Sequence, residues 1–134
     1  MKSAGRELVV VRQGVELPAV LEASGPKAQR RAFEFLGACV RNDNTRKAYM
    51  RALASFFEFL EDAGVERVQD LAPLDVVAYL EALKRQGAAI GTQKQHMAAI
   101  RMLLDHLVTG GVLEFNPALS VKAPRGAHST PGAP

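Results

Sequence analysis

The stretch Asn44-Thr45-Arg46-Lys47-Ala48-Tyr49-Met50-Arg51-Ala52-Leu53-Ala54-Ser55-Phe56-Phe57-Glu58-Phe59-Leu60-Glu61-Asp62-Ala63-Gly64-Val65 decides the fold class. Tyr49, Leu53, Phe56 and Leu60 recur at helical spacing, so one stripe is apolar and the segment reads as an amphipathic helix. Thr45 stands at its start, where a hydroxyl can cap the free backbone N–H groups of the first turn. Gly64 stands just past Asp62, where chains leave helices through a left-handed turn. The pattern returns 47 residues later: Thr45, Lys47, Met50, Ala52, Leu60, Gly64 and Val65 recur as Thr92, Lys94, Met97, Ala99, Leu107, Gly111 and Val112. Either these are two copies of one design, or any two amphipathic helices of an alanine-rich chain look this alike. The residues alone leave both readings open.

Outward from this pair, the other elements are also helical. Ser24-Gly25-Pro26 opens a first helix carrying Ala32, Phe35, Leu36 and Cys39 at helical spacing, ending near residues 41–44. A third helix follows Pro73, with Leu74, Val77, Leu80 and Leu83 expected inward, and stops at Gly87. The fourth is expected to start at Thr92 and to bury Met97, Ile100, Leu103, Leu104 and Leu107 before Gly110-Gly111. Asn116-Pro117 predicts a short fifth helix over Ala118 to Val121. The fold class is therefore all-α, a bundle of four to five helices. Residues 1–23 read as an irregular N-terminal arm, 24–122 as one helical domain, and 123–134 as linker.

Composition excludes several functions. With Cys39 as its single cysteine, the chain can form neither an internal disulfide nor a cysteine-based zinc site, and a reducing, cytoplasmic home is expected. The longest apolar run near the N-terminus, Leu8-Val9-Val10-Val11, is too short for a membrane span, so no membrane partner is expected. His96 and His106 lie ten residues apart, off ligand spacing, and no metal site is expected. Ser55 has no local base. Glu58, Glu61, Asp62 and Glu66 form a solvated acidic run, and no glycine-rich phosphate loop is present. No cofactor, small-molecule substrate or catalytic residue is expected in this chain.

Charge points elsewhere. The net +3 divides into 0 over residues 1–23, +5 over 24–57, −6 over 58–83, +3 over 84–109 and +1 over 110–134. Such segregation gives a helical domain a basic face for a polyanion, or is merely solvated helix surface. Arg46, Lys47 and Arg51 crowd the start of one helix; Lys94, Gln95 and Arg101 repeat this in the other. Helix starts present unpaired N–H donors and a partial positive charge, so backbone, threonine hydroxyl and lysine together can hold a phosphate. The Gln95 amide can pair with an adenine edge, or close a capping box with Thr92; both stand.

The ordered set Asn44-Thr45, Ala48-Tyr49, Leu53, Phe56, Phe59-Leu60, Gly64, Asp75, Tyr79-Leu80, Gly87, Thr92, Ile100-Arg101, Leu107, Gly110, Asn116-Pro117-Ala118 and Pro124-Arg125 resembles the N-terminal core-binding, SAM-like domain of tyrosine recombinases, the phage integrase family. The resemblance covers about residues 24–125 and leaves 1–23 without a role. It implies two crossed helical hairpins on one face of double-stranded DNA, with a catalytic domain on the other. It implies DNA contacts by Thr45, Lys47, Ala48 and Arg51 and by Thr92, Lys94, Gln95 and Arg101, to which the basic helix start adds Arg46. It also implies tetrameric homo-oligomers on DNA in the full-length recombinase. The family's tyrosine nucleophile and its arginine, lysine and histidine assistants belong to the domain expected after Pro124-Arg125, and Tyr49 and Tyr79 sit in or beside core stripes. A protein-interaction module, docking a partner through Phe33, Phe35, Leu36 and Phe115, is the competing expectation.

Overall fold

The computed structural model describes residues 18–124. Five α-helices account for most of them: α1, Ala19–Ala23; α2, Pro26–Glu34; α3, Asp43–Asp62; α4, Pro73–Arg85; and α5, Ile90–Thr109. No strand occurs among the described residues. A π-helical turn, Phe35–Cys39, prolongs α2, and a 3₁₀ turn, Val68–Asp70, precedes α4.

The fifth helix lies at the other end of the chain from the one expected. Ala19–Ala23, expected within the arm, is helical with Val20 and Leu21 buried, so the arm's last residues belong to the core. Residues 1–17 of the arm and the tail beyond Pro124 lie outside the described residues. At the C-terminus, Leu119 N–H bonds to Asn116 O and Val121 N–H to Ala118 O, both at 3.2 Å, which makes turns where a helix over Ala118–Val121 was expected. The segment is nevertheless docked: Asn116 donates from Nδ2 to Arg101 O (3.0 Å) and accepts from Ala118 N–H (2.8 Å), while Ala118 and Val121 are buried.

Helix starts also differ from expectation. The α3 cap is Asn42, whose Oδ1 accepts from Thr45 N–H at 3.0 Å; Thr45 is the third helical residue and its hydroxyl caps nothing. Four consecutive residues, 42–45, could each have capped, and the earliest does so because the helix begins one turn sooner. In α5 the start moves to Ile90 behind Ala89, which has no capping side chain, so the Thr92–Gln95 capping box does not form. At α4, the Asp75 carboxylate accepts from Ala72 N–H at 2.9 Å, and Pro73 occupies the first turn, where its missing N–H costs nothing.

The repeat is real in three dimensions. Asp43–Asp62 and Ile90–Thr109 are both 20 residues long and begin and end 47 residues apart. Both leave through a left-handed glycine, Gly64 (φ 88°) and Gly111 (φ 80°), and equivalent bonds close the stop: Val65 N–H to Leu60 O at 2.9 Å and Val112 N–H to Leu107 O at 2.8 Å. The two helices pack on each other more extensively than any other pair. Tyr49 meets Met102, whereas Ser55 and His96 share the Tyr79 hydroxyl. Number rises along one helix as it falls along the other, so they run antiparallel. Moreover, Tyr49 and Met102 are the repeat counterparts of His96 and Ser55. The pair is thus related to itself by an approximate two-fold axis.

The core fills the space beneath this pair. Phe56, Phe57, Leu60, Met97, Ile100, Leu103, Leu104 and Leu107 are almost wholly buried, and α1 packs on α3 while α2 packs on α5. The buried stripe of α4 is Val76, Tyr79, Leu80 and Leu83; Leu74 is 74% exposed and Val77 38% exposed, against expectation. Phe35 is buried and Leu36 half-buried, but Cys39, expected on the same stripe, is exposed where the turn ends. The buried Ser24 hydroxyl donates to Val20 O (2.6 Å) and accepts from Val68 N–H (2.9 Å), fastening α1 to the α3–α4 connection.

Candidate nucleic-acid interface

The two helix starts are built alike and held differently. In α3, Asn42 satisfies one free N–H, and Arg46 reaches back to the end of the preceding turn. Its Nε donates to Leu36 O at 2.7 Å and its Nη2 to Val40 O at 2.6 Å, while Nη1 pairs with Asp43 at 2.8 Å. The end of a helical turn leaves carbonyls without intrahelical partners, and this guanidinium takes up Leu36 O within the π-helical turn and Val40 O just past it. In α5 the counterpart of Arg46 is Gln93, whose amide likewise reaches back, to Ala88 O at 2.9 Å.

Arg46 therefore holds the fold, and Arg101 does the same. Its Nη2 donates to Val121 O at 3.2 Å and its backbone carbonyl accepts from Asn116, so this arginine anchors the C-terminal segment. Of the nine residues singled out from sequence, these two are committed inward. Lys47, Arg51, Thr92, Lys94 and Gln95 are exposed, and Thr45 and Ala48 are half-buried. Lys47, Arg51 and Lys94 make no ion pair among the described residues.

Register sets the spacing of the two starts. Lys47 precedes Tyr49 by two residues, and Lys94 precedes His96 by two, so they occupy equivalent places about the approximate two-fold. From the level of Lys47 to the level of Lys94 is ten residues, about 15 Å along the pair at 1.5 Å per residue. Lys84 and Arg85, exposed in the last turn of α4, add positive charge a few residues before α5. Sequence reading passed over them because they sit at a helix end, where cations already complement the dipole.

A second set of functional-looking groups was also missed. Tyr79, 2% exposed, places its hydroxyl 2.8 Å from Ser55 Oγ and 2.7 Å from His96 Nδ1, joining α3, α4 and α5. Burial pushes the Tyr79 phenol above its ordinary range, although its bond to Ser55 opposes the shift. Burial likewise holds the His96 imidazole below its ordinary 6.5. The signal available in sequence was the repeat itself, which makes His96 the counterpart of Tyr49. Near the start of α3, His106 Nε2 lies 3.5 Å from Glu34, whose two carboxylate oxygens both accept from Arg31 Nη1 at 2.9 Å. The Arg31 bond, foremost, keeps the Glu34 carboxyl below its ordinary value. Among the described residues no group of three or more histidine, cysteine or acidic side chains could hold a metal ion, and no helix is long and apolar enough to cross a membrane.

Comparison with known proteins agrees with the fold. Residues 33–111 match the family model described as phage integrase, N-terminal SAM-like domain. The chain is 33% identical over 94 residues to a tyrosine recombinase XerC of Agrobacterium fabrum, covering 66% of this chain and 30% of that protein. A tyrosine recombinase XerC of Chromohalobacter salexigens is 33% identical over 90 residues, covering 65% and 29% respectively. One of Mycobacterium bovis is 32% identical over 94 residues, covering 69% and 31%. The chain thus spans 30% of the length of the first of these relatives. No solved structure matches it significantly. Helical composition, the paired helix starts and a family match over more than half its length together make this chain a member of the phage integrase N-terminal SAM-like domain family.

Proposed function

We propose that this chain is the DNA-binding core-binding domain of a tyrosine site-specific recombinase, that it grips the core recombination site through the starts of α3 and α5, and that it works in the cytoplasm. One observation carries the reading. Two equivalent helix starts, each with a threonine and a lysine that has no ion-pair partner among the described residues, are presented by one antiparallel pair about 15 Å apart along its axis. The two strands of a duplex are themselves antiparallel and flank a major groove roughly 12 Å wide, so one lysine can serve each strand.

In this assignment Lys47, Arg51 and Lys94 neutralise phosphates, with Thr45 and Thr92 beside them, and Ala48 and Gln95 face the base edges. Arg46 and Arg101 support the surface from behind. Strand cleavage and joining belong to the part of the longer protein outside this chain, and tetramer formation on DNA belongs to the full-length recombinase. The competing reading, a protein-docking surface, draws on Phe115 and Leu119, each 61% exposed; Phe35 is buried and cannot serve it.

Titrating the ¹⁵N-labelled chain with a short duplex separates the two. Amide shifts confined to residues 43–51 and 90–98 support the DNA reading. Absence of duplex-induced shifts there, with self-association shifts at Phe115–Leu119, would favour the docking reading.

A further inference from the structure

The approximate two-fold of α3 and α5 is broken at one place, and the break lies directly behind one of the helix starts. Tyr49 Oη reaches Met102 Sδ at 3.6 Å, without an intermediary. The equivalent contact, His96 with Ser55, is spanned by a residue from a third helix, Tyr79 of α4. Its ring is fixed on several sides. Phe56 and Phe59 meet it edge-on, at centroid distances of 5.2 and 5.4 Å, and the His96 imidazole stacks on it at 6.0 Å and 19°. A phenol has one proton and can accept another hydrogen bond. Whichever of Ser55 and His96 receives that proton, the other can donate to the phenolic oxygen, so all three groups are satisfied together.

The start of α5 has little else to hold it. Ala89 offers no cap, and Gly91, the second helical residue, lacks a side chain to pack. Gly91, Thr92, Lys94 and Gln95 are exposed, and the Gln93 bond to Ala88 is local. His96 is the first residue of α5 whose side chain is hydrogen-bonded to another helix. The start of α3, by contrast, has its Asn42 cap and the Arg46 clamp.

We propose that Tyr79 is a positioning residue for duplex recognition: by holding His96 against Ser55 it fixes the direction in which Lys94 and Gln95 leave the surface, and with it the base that Gln95 meets. The proposal rests on the reading of this surface as a DNA interface. Affinity, which phosphate contacts dominate, then depends on the lysines, while discrimination at one base pair depends on Tyr79.

Tyr79→Phe keeps the ring and removes the hydroxyl; His96→Asn keeps, near the position of Nδ1, an amide able to donate or accept as the phenol requires. Both are compared with wild type in the full 134-residue chain. The first readout needs no DNA. Amide hydrogen exchange at Gln93, Lys94 and Gln95 is expected to accelerate roughly tenfold in Tyr79→Phe, with the α3 amides at Lys47–Met50 unchanged, and to return toward wild type in His96→Asn. The second is binding to duplexes carrying single base-pair changes. Tyr79→Phe is expected to keep the wild-type salt slope yet lose roughly tenfold discrimination at the same base pair as Gln95→Ala, whereas His96→Asn retains it. Wild-type exchange at the start of α5 in Tyr79→Phe, or undiminished discrimination, overturns the proposal. If wild type binds no duplex, the interface reading falls and takes the recognition role with it. The exchange arm then still decides whether Tyr79 holds the helix start.

Discussion

Replacing Arg46 by alanine separates two roles that a basic residue at a helix start can play. The guanidinium makes two short bonds to backbone carbonyls, Leu36 O at 2.7 Å and Val40 O at 2.6 Å, and pairs with Asp43, whose side chain is 83% exposed. The ion pair adds almost nothing, since so exposed a partner is screened by water. Charge-assisted bonds to buried groups contribute about 1.5–3 kcal/mol each, but these carbonyls are only partly buried and water takes over some of the loss. About 1 kcal/mol per carbonyl remains, roughly 2 kcal/mol in all. For a domain of this size that lowers Tm by about 8 °C. Circular dichroism at 222 nm during heating and during urea titration measures it, and the urea midpoint should fall at unchanged m. Lys47→Ala, one residue along, should stay within about 0.5 kcal/mol of wild type and lower the DNA salt slope by about one unit. Arg46→Ala should leave that slope as it is. Wild-type stability in Arg46→Ala together with a reduced slope would refute the assignment of this arginine to the fold.

Other substitutions follow from the same geometry. Asn42→Ala removes the α3 cap and should cost about 1 kcal/mol in urea denaturation, whereas Thr45→Ala should cost less than about 0.5 kcal/mol because its hydroxyl caps nothing. Gly64→Ala forces a side chain into φ 88° and should destabilise by about 1 kcal/mol, with no steric clash to add, since no heavy atom lies near the new Cβ. Acid should weaken the fold through His96. Its folded pKa lies below the ordinary 6.5, so the unfolded chain binds the extra proton first; its contribution is intact above about pH 6.5 and is lost as pH falls through the lowered folded value. Urea titrations from pH 7 to 5 should therefore show a smaller loss of stability in His96→Asn than in wild type.

The repeat was the most legible feature, and both of its long helices end at the glycine stops it marked. Matching stripes and glycine stops fixed the type and number of the long helices, because both come from local chemistry: periodic burial and a left-handed exit. Starts were harder. Residues 42–45 offer four competing caps, and α5 begins with no cap at all, so Thr45 and Thr92 looked like starts although each is the third helical residue. The α4 stripe was misplaced because Leu74 and Val77 are as apolar as Val76, and Tyr79 completes a stripe of equal period. Its hydroxyl becomes acceptable in the core only through Ser55 and His96, partners 24 and 17 residues away. In the candidate site, charge singled out the two helix starts but could not tell a cation facing solvent from one facing carbonyls. Lys47 and Lys94 face out, while Arg46 and Arg101 have backbone oxygens waiting for them, a difference set by the ends of other elements.

The central claim is that the two helix starts together form the duplex-binding surface. Fluorescence anisotropy of a mixed-sequence duplex, titrated with this chain over a range of salt concentrations, tests it most directly when wild type is compared with the Lys47→Ala/Lys94→Ala double variant. The account predicts salt-dependent binding by wild type and a slope lower by about two units in the double variant, one for each phosphate that a lysine no longer neutralises, at unchanged stability. An equal slope in the two proteins, or no binding by wild type at low salt, would contradict it.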